Sequence, residues 1–88
     1  MKRYAIKIRG RVQGVFFRDS ARQEAERLGL VGFARNEPDG TVYIEAGGNE
    51  AALDEFVAWC HEGSAQSKVE GVHISEISPV GDKDFNIR

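Results

Sequence analysis

The 88-residue sequence predicts an α+β fold, because segments with strand patterns and segments with helical spacing follow one another along the chain. Five segments have the composition or alternation of strands, two repeat apolar residues at helical intervals, and turns rich in glycine or proline separate them. The resulting order, β-α-β-β-α-β with a short C-terminal strand added, is the ferredoxin-like split βαβ arrangement. Right-handed crossovers would place both helices on one face of an antiparallel sheet.

The first strand is predicted over residues 2–9, where Tyr4, Ile6 and Ile8 recur at every second position. A loop that contains Gly10 and Gly14 follows it. The strand is therefore expected to bury one face and to end in a turn.

The first helix has two possible starts. Ser20 can cap it, with Gln23 three positions further on, or it can begin a turn earlier, near Phe17. Gly29 is expected to end it in the left-handed conformation. Three apolar residues recur at helical spacing: Ala21, Ala25 and Leu28.

A β-hairpin is predicted next. Residues 31–36 form its first strand, and residues 37–40, Glu-Pro-Asp-Gly, form a turn with proline second and glycine last. Residues 41–46 resume the alternation, with Val42, Ile44 and Ala46 on one side. Gly47 and Gly48 are expected to end this strand.

The second helix is expected to begin after Asn49, which can cap it, and to end at Gly63. Its apolar stripe consists of Leu53, Phe56, Val57 and Cys60. Two further strands are predicted over residues 69–77 and 84–88. In this topology the first two strands run parallel with the third between them, so the loop after the first strand and Asn36 at the end of the second meet at one edge of the sheet.

Size and composition limit the functions that the chain can have. The chain is predicted to form one domain over residues 1–88, and its net charge of −2 argues against general nucleic-acid binding. The single cysteine, Cys60, forms no internal disulfide and is expected to pack in the core, and no motif suggests a metal or cofactor. Nothing resembles a signal peptide or a membrane span, so a cytoplasmic protein, acting as a monomer, is the simplest expectation.

Residues 9–18, Arg-Gly-Arg-Val-Gln-Gly-Val-Phe-Phe-Arg, place two glycines and three guanidiniums between a strand and a helix. Glycines can adopt positive φ and turn successive N–H groups towards one point, and a helix N-terminus favours negative charge there. Arg18 can pair with two phosphate oxygens at once. A glycine-bearing surface turn is the alternative, but the combination favours an anion site.

Two segments resemble the acylphosphatase family. Residues 8–18 are similar to its first signature, and residues 32–36, followed by Gly40-Thr41-Val42 and Gly48, are similar to its second. The resemblance implies metal-independent hydrolysis of small acyl phosphates to a carboxylate and phosphate, with phosphate or sulfate as product-like ligands. It further implies that Asn36 orients the attacking water and that the phosphoryl group is bound by Arg18 and by main-chain amides of Gln13, Gly14, Val15, Phe16 and Phe17.

Other prominent residues have ordinary explanations. Asp19 is expected to interact with the helix dipole, and at least one of Phe16 and Phe17 to anchor the loop in the core. Arg9, Arg11 and Arg35 are expected to be surface charges, although they can steer anions.

Two functions other than hydrolysis are also considered for a chain with this order of elements. Acylphosphatase-like domains also occur in carbamoyl-transfer maturation enzymes, but we expect no partner domain within 88 residues. An RNA-binding module on this fold would stack bases on aromatic residues of the central strands, where the third strand offers only Tyr43, beside Glu45.

Overall fold

Five strands form one sheet and two helices pack against it, in the computed structural model that describes all residues from Met1 to Arg88. The predicted α+β fold is thereby confirmed. In chain order the elements are β1 (Lys2–Arg11), α1 (Phe17–Arg27), β2 (Val31–Asn36), β3 (Val42–Gly48), α2 (Glu50–Glu62), β4 (Lys68–Ile77) and β5 (Phe85–Ile87).

The strand order β4-β1-β3-β2-β5 sets the position of the candidate site. β3 runs antiparallel to both β1 and β2, so β1 and β2 are parallel and their C-terminal ends reach the same edge of the sheet, as predicted. β5 pairs in parallel with β2, where Ala34 lies opposite Ile87. The end of β5 therefore reaches this edge as well.

The core lies between the sheet and the helices. Register pairs such as Ile6 with Ile44, and Ala34 with Ile44, place the predicted apolar residues of three strands in one inward row. All three of these side chains are fully buried. The helices contribute the residues predicted for their apolar faces, and those that are completely buried are Ala21, Ala25, Leu53, Phe56 and Cys60.

The first helix begins at the earlier of its two predicted starts. Its N-cap is Phe16, which has no capping side chain, so the prediction that Ser20 caps the helix is wrong. Ser20 lies inside the first turn, where its N–H donates to the oxygen of Phe16 at 3.1 Å. The burial of Phe17 explains the difference, because this side chain fixes the first turn to the core and no hydroxyl cap is needed. The helix ends at Arg27 with Leu28 as its C-cap, and Gly29 after the cap has the predicted left-handed conformation, with φ of 72°.

The strand β3 continues through Gly47 and Gly48, so the prediction that these glycines end it is wrong. They pair with Arg3 and Lys2 of β1. A Cβ atom at Gly48 would lie 2.5 Å from a methyl carbon of Leu30, so close packing rather than a chain reversal explains the glycine. Asn49 then caps α2, as predicted, by accepting a hydrogen bond from the N–H of Ala52 at 2.8 Å.

One buried charge holds the connection between β4 and β5 against the sheet. The side chain of Arg3 is 2% exposed, and its guanidinium lies 3.0 Å from Glu45 and 2.6 Å from Asp82. Asp82 belongs to the connection between β4 and β5, so the ion pair holds that connection against β1. Breaking such a pair on one side would leave a charge buried without a partner. Neither helix has the length and apolar character that crossing a membrane requires.

Candidate active site

The loop between β1 and α1, residues 12–16, is anchored in the core. Val12 and Val15 are buried, and Phe17 at the start of α1 is 1% exposed. The hydroxyl of Ser64 donates to the main-chain oxygen of Val15 at 2.8 Å, which ties the loop to the end of α2. Buried side chains on both sides of the loop therefore fix the course of its main chain.

Three residues of this region have positive φ. Gly10 has φ of 129° at a break in the β1–β4 register, and a side chain there would clash with the main-chain oxygen of Lys68. Gly14 has φ of 73°, and Phe16, with φ of 59°, is the only non-glycine residue with positive φ. A bulky aromatic residue in this conformation is strained, and such strain is concentrated at functional sites.

The main-chain N–H groups of residues 13–19 donate no hydrogen bond within the protein. The last three belong to the first turn of α1, where N–H groups have no acceptor inside the helix. The helix dipole adds positive potential at the same place. Free donors and dipole together make this loop a favourable environment for an anion.

A pocket of about 270 Å³ lies between this loop and the end of β2. Five of the residues that the sequence singles out meet here although they come from two separate segments. Its lining consists of Val12, Gly14, Phe16, Phe17, Arg18, Asp19, Asn36 and Ile87. Two predicted residues, Gln13 and Val15, do not line the pocket, but they are part of the loop that borders it.

Arg18 lies in the first turn of α1 and is partly buried. Its Nη1 donates to the main-chain oxygen of Arg88 at 2.8 Å, and no Asp or Glu side chain lies within ion-pair distance. The hydrogen bond fixes the guanidinium from one side. Because no acidic side chain is paired with it, its positive charge can act on a ligand in the pocket.

Asn36 is the last residue of β2, where it pairs with Val42 of β3. Its side chain is exposed and makes no hydrogen bond within the protein. The amide can therefore both donate to and accept from a water molecule in the pocket.

The side chain of Gln13 has a structural task. Its Nε2 donates to the main-chain oxygens of Glu37 and Thr41 at 2.8 and 2.9 Å. These two residues flank the turn between β2 and β3, which a bond from the N–H of Gly40 to the oxygen of Glu37 closes at 3.1 Å. Gln13 thus links the loop to the hairpin that carries Asn36, and only its main-chain N–H remains for an anion.

Sequence reasoning did not include Val12, Asp19 and Ile87 among the site residues. Asp19 occupies the first turn of α1, as predicted from the helix dipole, yet it also lines the pocket. The alternation of Phe85 and Ile87 predicts a strand, but nothing local predicts that this strand pairs in parallel with β2. The parallel pairing is what brings Ile87 and Arg88 to the site.

The open face of the sheet does not present aromatic rings to a ligand. The guanidinium of Arg35 lies 4.7 Å from the ring centre of Tyr43, and that of Arg88 lies 3.9 Å from the ring centre of Phe33. The hydroxyl of Tyr43 donates to Glu45 at 2.8 Å, and burial together with this carboxylate raises the pKa of the tyrosine. Stacked bases would have to displace both arginines, which argues against the RNA-binding alternative.

Cys60 lies in the core, and burial raises the pKa of its thiol. It is therefore poorly suited to act as a nucleophile. No group of three or more His, Cys, Asp or Glu side chains is arranged to hold a metal ion.

Comparison with known proteins identifies the family. The family model for acylphosphatase matches residues 4–87. An acylphosphatase from Rubrobacter xylanophilus is 50% identical over 99% of this chain and 80% of the relative, and one from Anaeromyxobacter dehalogenans is 48% identical over 98% and 94%. The crystal structure of acylphosphatase from Bacillus subtilis superposes with a TM-score of 0.98 at 42% identity, covering 100% of this chain and 99% of that one. The chain belongs to the acylphosphatase family, and the class of hydrolase that its sequence predicts is confirmed.

Proposed function

We propose that this chain, as one domain and as a monomer, hydrolyses small acyl phosphates to a carboxylate and inorganic phosphate without a metal ion. The observation that carries the proposal is the position of Arg18 and Asn36 around one pocket, beside a loop whose N–H groups have no acceptor. Membership of the acylphosphatase family supports the reaction class.

The phosphoryl group is bound by Arg18 and by main-chain N–H groups of residues 13–17. Phosphoryl transfer passes through a loose transition state, so the protein mainly has to position the reactants and stabilise charge on the equatorial oxygens. A guanidinium and several fixed N–H donors supply that stabilisation without a rearrangement during the reaction. Inorganic phosphate, or sulfate as its analogue, binds in the same place after the acyl group has left.

Asn36 orients the attacking water. Its amide is neutral and cannot act as a strong base, but its oxygen and its N–H group can hold water in line with the phosphorus. The proton of that water passes to an oxygen of the substrate's own phosphate group. Hydrolysis is therefore substrate-assisted.

The leaving group explains why a small polar site is sufficient. A carboxylate is a weak base and departs without being protonated, so no general acid is needed. Expulsion of an alkoxide from a phosphate monoester would usually require an acid or a metal ion. The site is thus suited to mixed anhydrides, and because it holds the phosphoryl end, different small acyl groups should be accepted.

The test is hydrolysis of benzoyl phosphate in the presence of EDTA, with inorganic phosphate binding measured in parallel by calorimetry. Loss of one neutral oxyanion donor costs roughly 10²–10³ in rate, and Arg18→Ala should exceed this because the residue carries a full charge. Asn36→Ala should abolish turnover while phosphate still binds. Matched controls are Arg22→Ala, one turn further along α1, and Asn86→Ala, whose amide donates to Asp84 instead of facing the pocket.

Each outcome has a defined consequence. A loss of activity in EDTA that added Mg²⁺ restores would contradict the metal-independent reaction. Equal loss of phosphate binding and turnover in Asn36→Ala would contradict the division of roles. A small effect of Arg18→Ala, similar to that of Arg22→Ala, would remove Arg18 from the mechanism.

A further inference from the structure

A second groove lies on the sheet face that points away from the helices, between β1 and the edge strand β4. It has a volume of about 310 Å³, and it is lined by Lys7, Arg9, Thr41, Gly71, Val72 and His73. None of these residues lines the candidate active site. The groove is therefore a separate feature of the molecule.

The sheet register explains why basic side chains collect here. Ile8 of β1 is fully buried towards the helices, so its neighbours Lys7 and Arg9 point to the opposite face. Lys7 lies opposite His73, and Arg9 lies opposite Gly71. Directly paired positions on one face of a sheet have neighbouring side chains, which brings the two cations and the imidazole together.

The positive charge of the groove is only partly neutralised. Nζ of Lys7 lies 3.1 Å from Asp39, whereas the guanidinium of Arg9 has neither an ion pair nor a hydrogen bond within the protein. No carboxylate lines the groove. An unpaired guanidinium beside an ammonium group and an imidazole that can donate a hydrogen bond is a suitable set of donors for an oxyanion.

Gly71 makes room for the arginine. A Cβ atom at this residue would lie 2.6 Å from Nε of Arg9 and 2.9 Å from its Cζ. The guanidinium therefore lies close against the main chain of β4, where a larger residue would displace it.

We propose that this groove is a second anion site, which binds a phosphate group independently of the active-site pocket. The ligand is inorganic phosphate or the phosphate group of a small phosphomonoester. The volume of the groove leaves room for a short organic group beside the phosphate.

The test is an NMR titration of the Arg18→Ala protein, whose active-site pocket is weakened, with inorganic phosphate and separately with glycerol phosphate. Saturable shifts of the main-chain N–H resonances of Thr41, Gly71 and Val72 are expected. Tighter binding of glycerol phosphate would identify a phosphomonoester as the ligand, and tighter binding of inorganic phosphate would identify the free ion. The absence of saturable shifts with both, or identical shifts with sodium chloride at equal ionic strength, would overturn the proposal.

Three further substitutions in the Arg18→Ala protein distinguish a specific binding site from an effect of overall charge. Arg9→Gln should weaken binding at least about tenfold, because it removes a charge-assisted pair of hydrogen bonds. Gly71→Ala should also weaken binding although it changes no charge, since it displaces the guanidinium. Arg11→Gln is the matched control, because Arg11 is exposed, lies on the same strand and does not line the groove. Equal effects of Arg9→Gln and Arg11→Gln would contradict the site and assign the effect to overall charge.

Discussion

Phe16 and Phe17 are neighbours in the sequence but occupy opposite environments, so replacing each by alanine should have very different effects on stability. Phe16 is 68% exposed, whereas Phe17 is 1% exposed and its ring lies 5.3 Å from that of Trp59. Both residues border the same pocket. Comparing the two substitutions therefore distinguishes the anchoring of the loop from the contact of the loop with a ligand.

The magnitudes follow from burial. Truncation of a fully buried phenylalanine to alanine costs about 3–5 kcal/mol, because buried area is lost and a cavity remains. Phe16→Ala removes little buried area and keeps a side chain at positive φ, so it should change the free energy of unfolding by less than about 0.5 kcal/mol. A domain of this size loses roughly 4–8 °C in Tm for each kcal/mol, so Phe17→Ala should lower Tm by more than about 12 °C.

Urea unfolding followed by far-UV circular dichroism measures both variants, and this signal does not depend on the contact between Phe17 and Trp59. The slope of the unfolding free energy against urea should stay the same, which would indicate that only stability has changed. A loss of less than about 1 kcal/mol in Phe17→Ala, which is far below the usual cost of such a truncation, would refute the argument that this residue anchors the loop. Equal losses in the two variants would refute the assignment of Phe16 to the rim.

Three more predictions concern polar residues of the turn between β2 and β3, of the loop before α1 and of the first turn of α1. Hydrogen bonds from the hydroxyl and the main chain of Thr41 lower the pKa of Asp39 to about 2. Its stabilising contribution is therefore complete above about pH 4 and is lost as the pH falls towards 2, so urea unfolding of Asp39→Asn should depend less on pH in this interval. Gln13→Ala removes two hydrogen bonds to main-chain oxygens and should lower the free energy of unfolding by about 1–2 kcal/mol in the same assay; no loss would contradict the link between loop and hairpin. Asp19→Asn should tighten inhibition by inorganic phosphate, since it removes a like charge from the pocket lining. Two like charges about 4 Å apart in water repel by about 1 kcal/mol, so the effect should reach at most about fivefold, and unchanged inhibition would place Asp19 outside the field of the anion.

The spacing of apolar residues predicted most of the fold, because it indicates which face of each helix or strand is buried. The positions of Ile6, Ile44 and Ala46 follow directly from alternation, and all three are fully buried. The two wrong predictions concern residues whose local preference was overridden by packing. Ser20 favours a cap, but the buried Phe17 starts the helix earlier, and Gly48 favours a break, but its missing side chain makes room for Leu30.

The candidate site was predictable to the extent that it depends on β1, β2 and the loop between β1 and α1. The order of elements already implies that Asn36 and Arg18 approach one edge of the sheet, and both line the same pocket. The part contributed by β5 was not predictable, because three residues carry too little pattern to identify a pairing partner. For the same reason no sequence pattern predicts the hydrogen bond from Arg18 to the oxygen of Arg88.

That hydrogen bond joins residues 70 positions apart, so one contact of the Arg18 guanidinium depends on β5. β5 has three residues, lies at the edge of the sheet and pairs only with β2. An edge element this short opens locally at a lower free-energy cost than the core does. Transient detachment of β5 would release Arg18 from its acceptor while the other four strands stay paired.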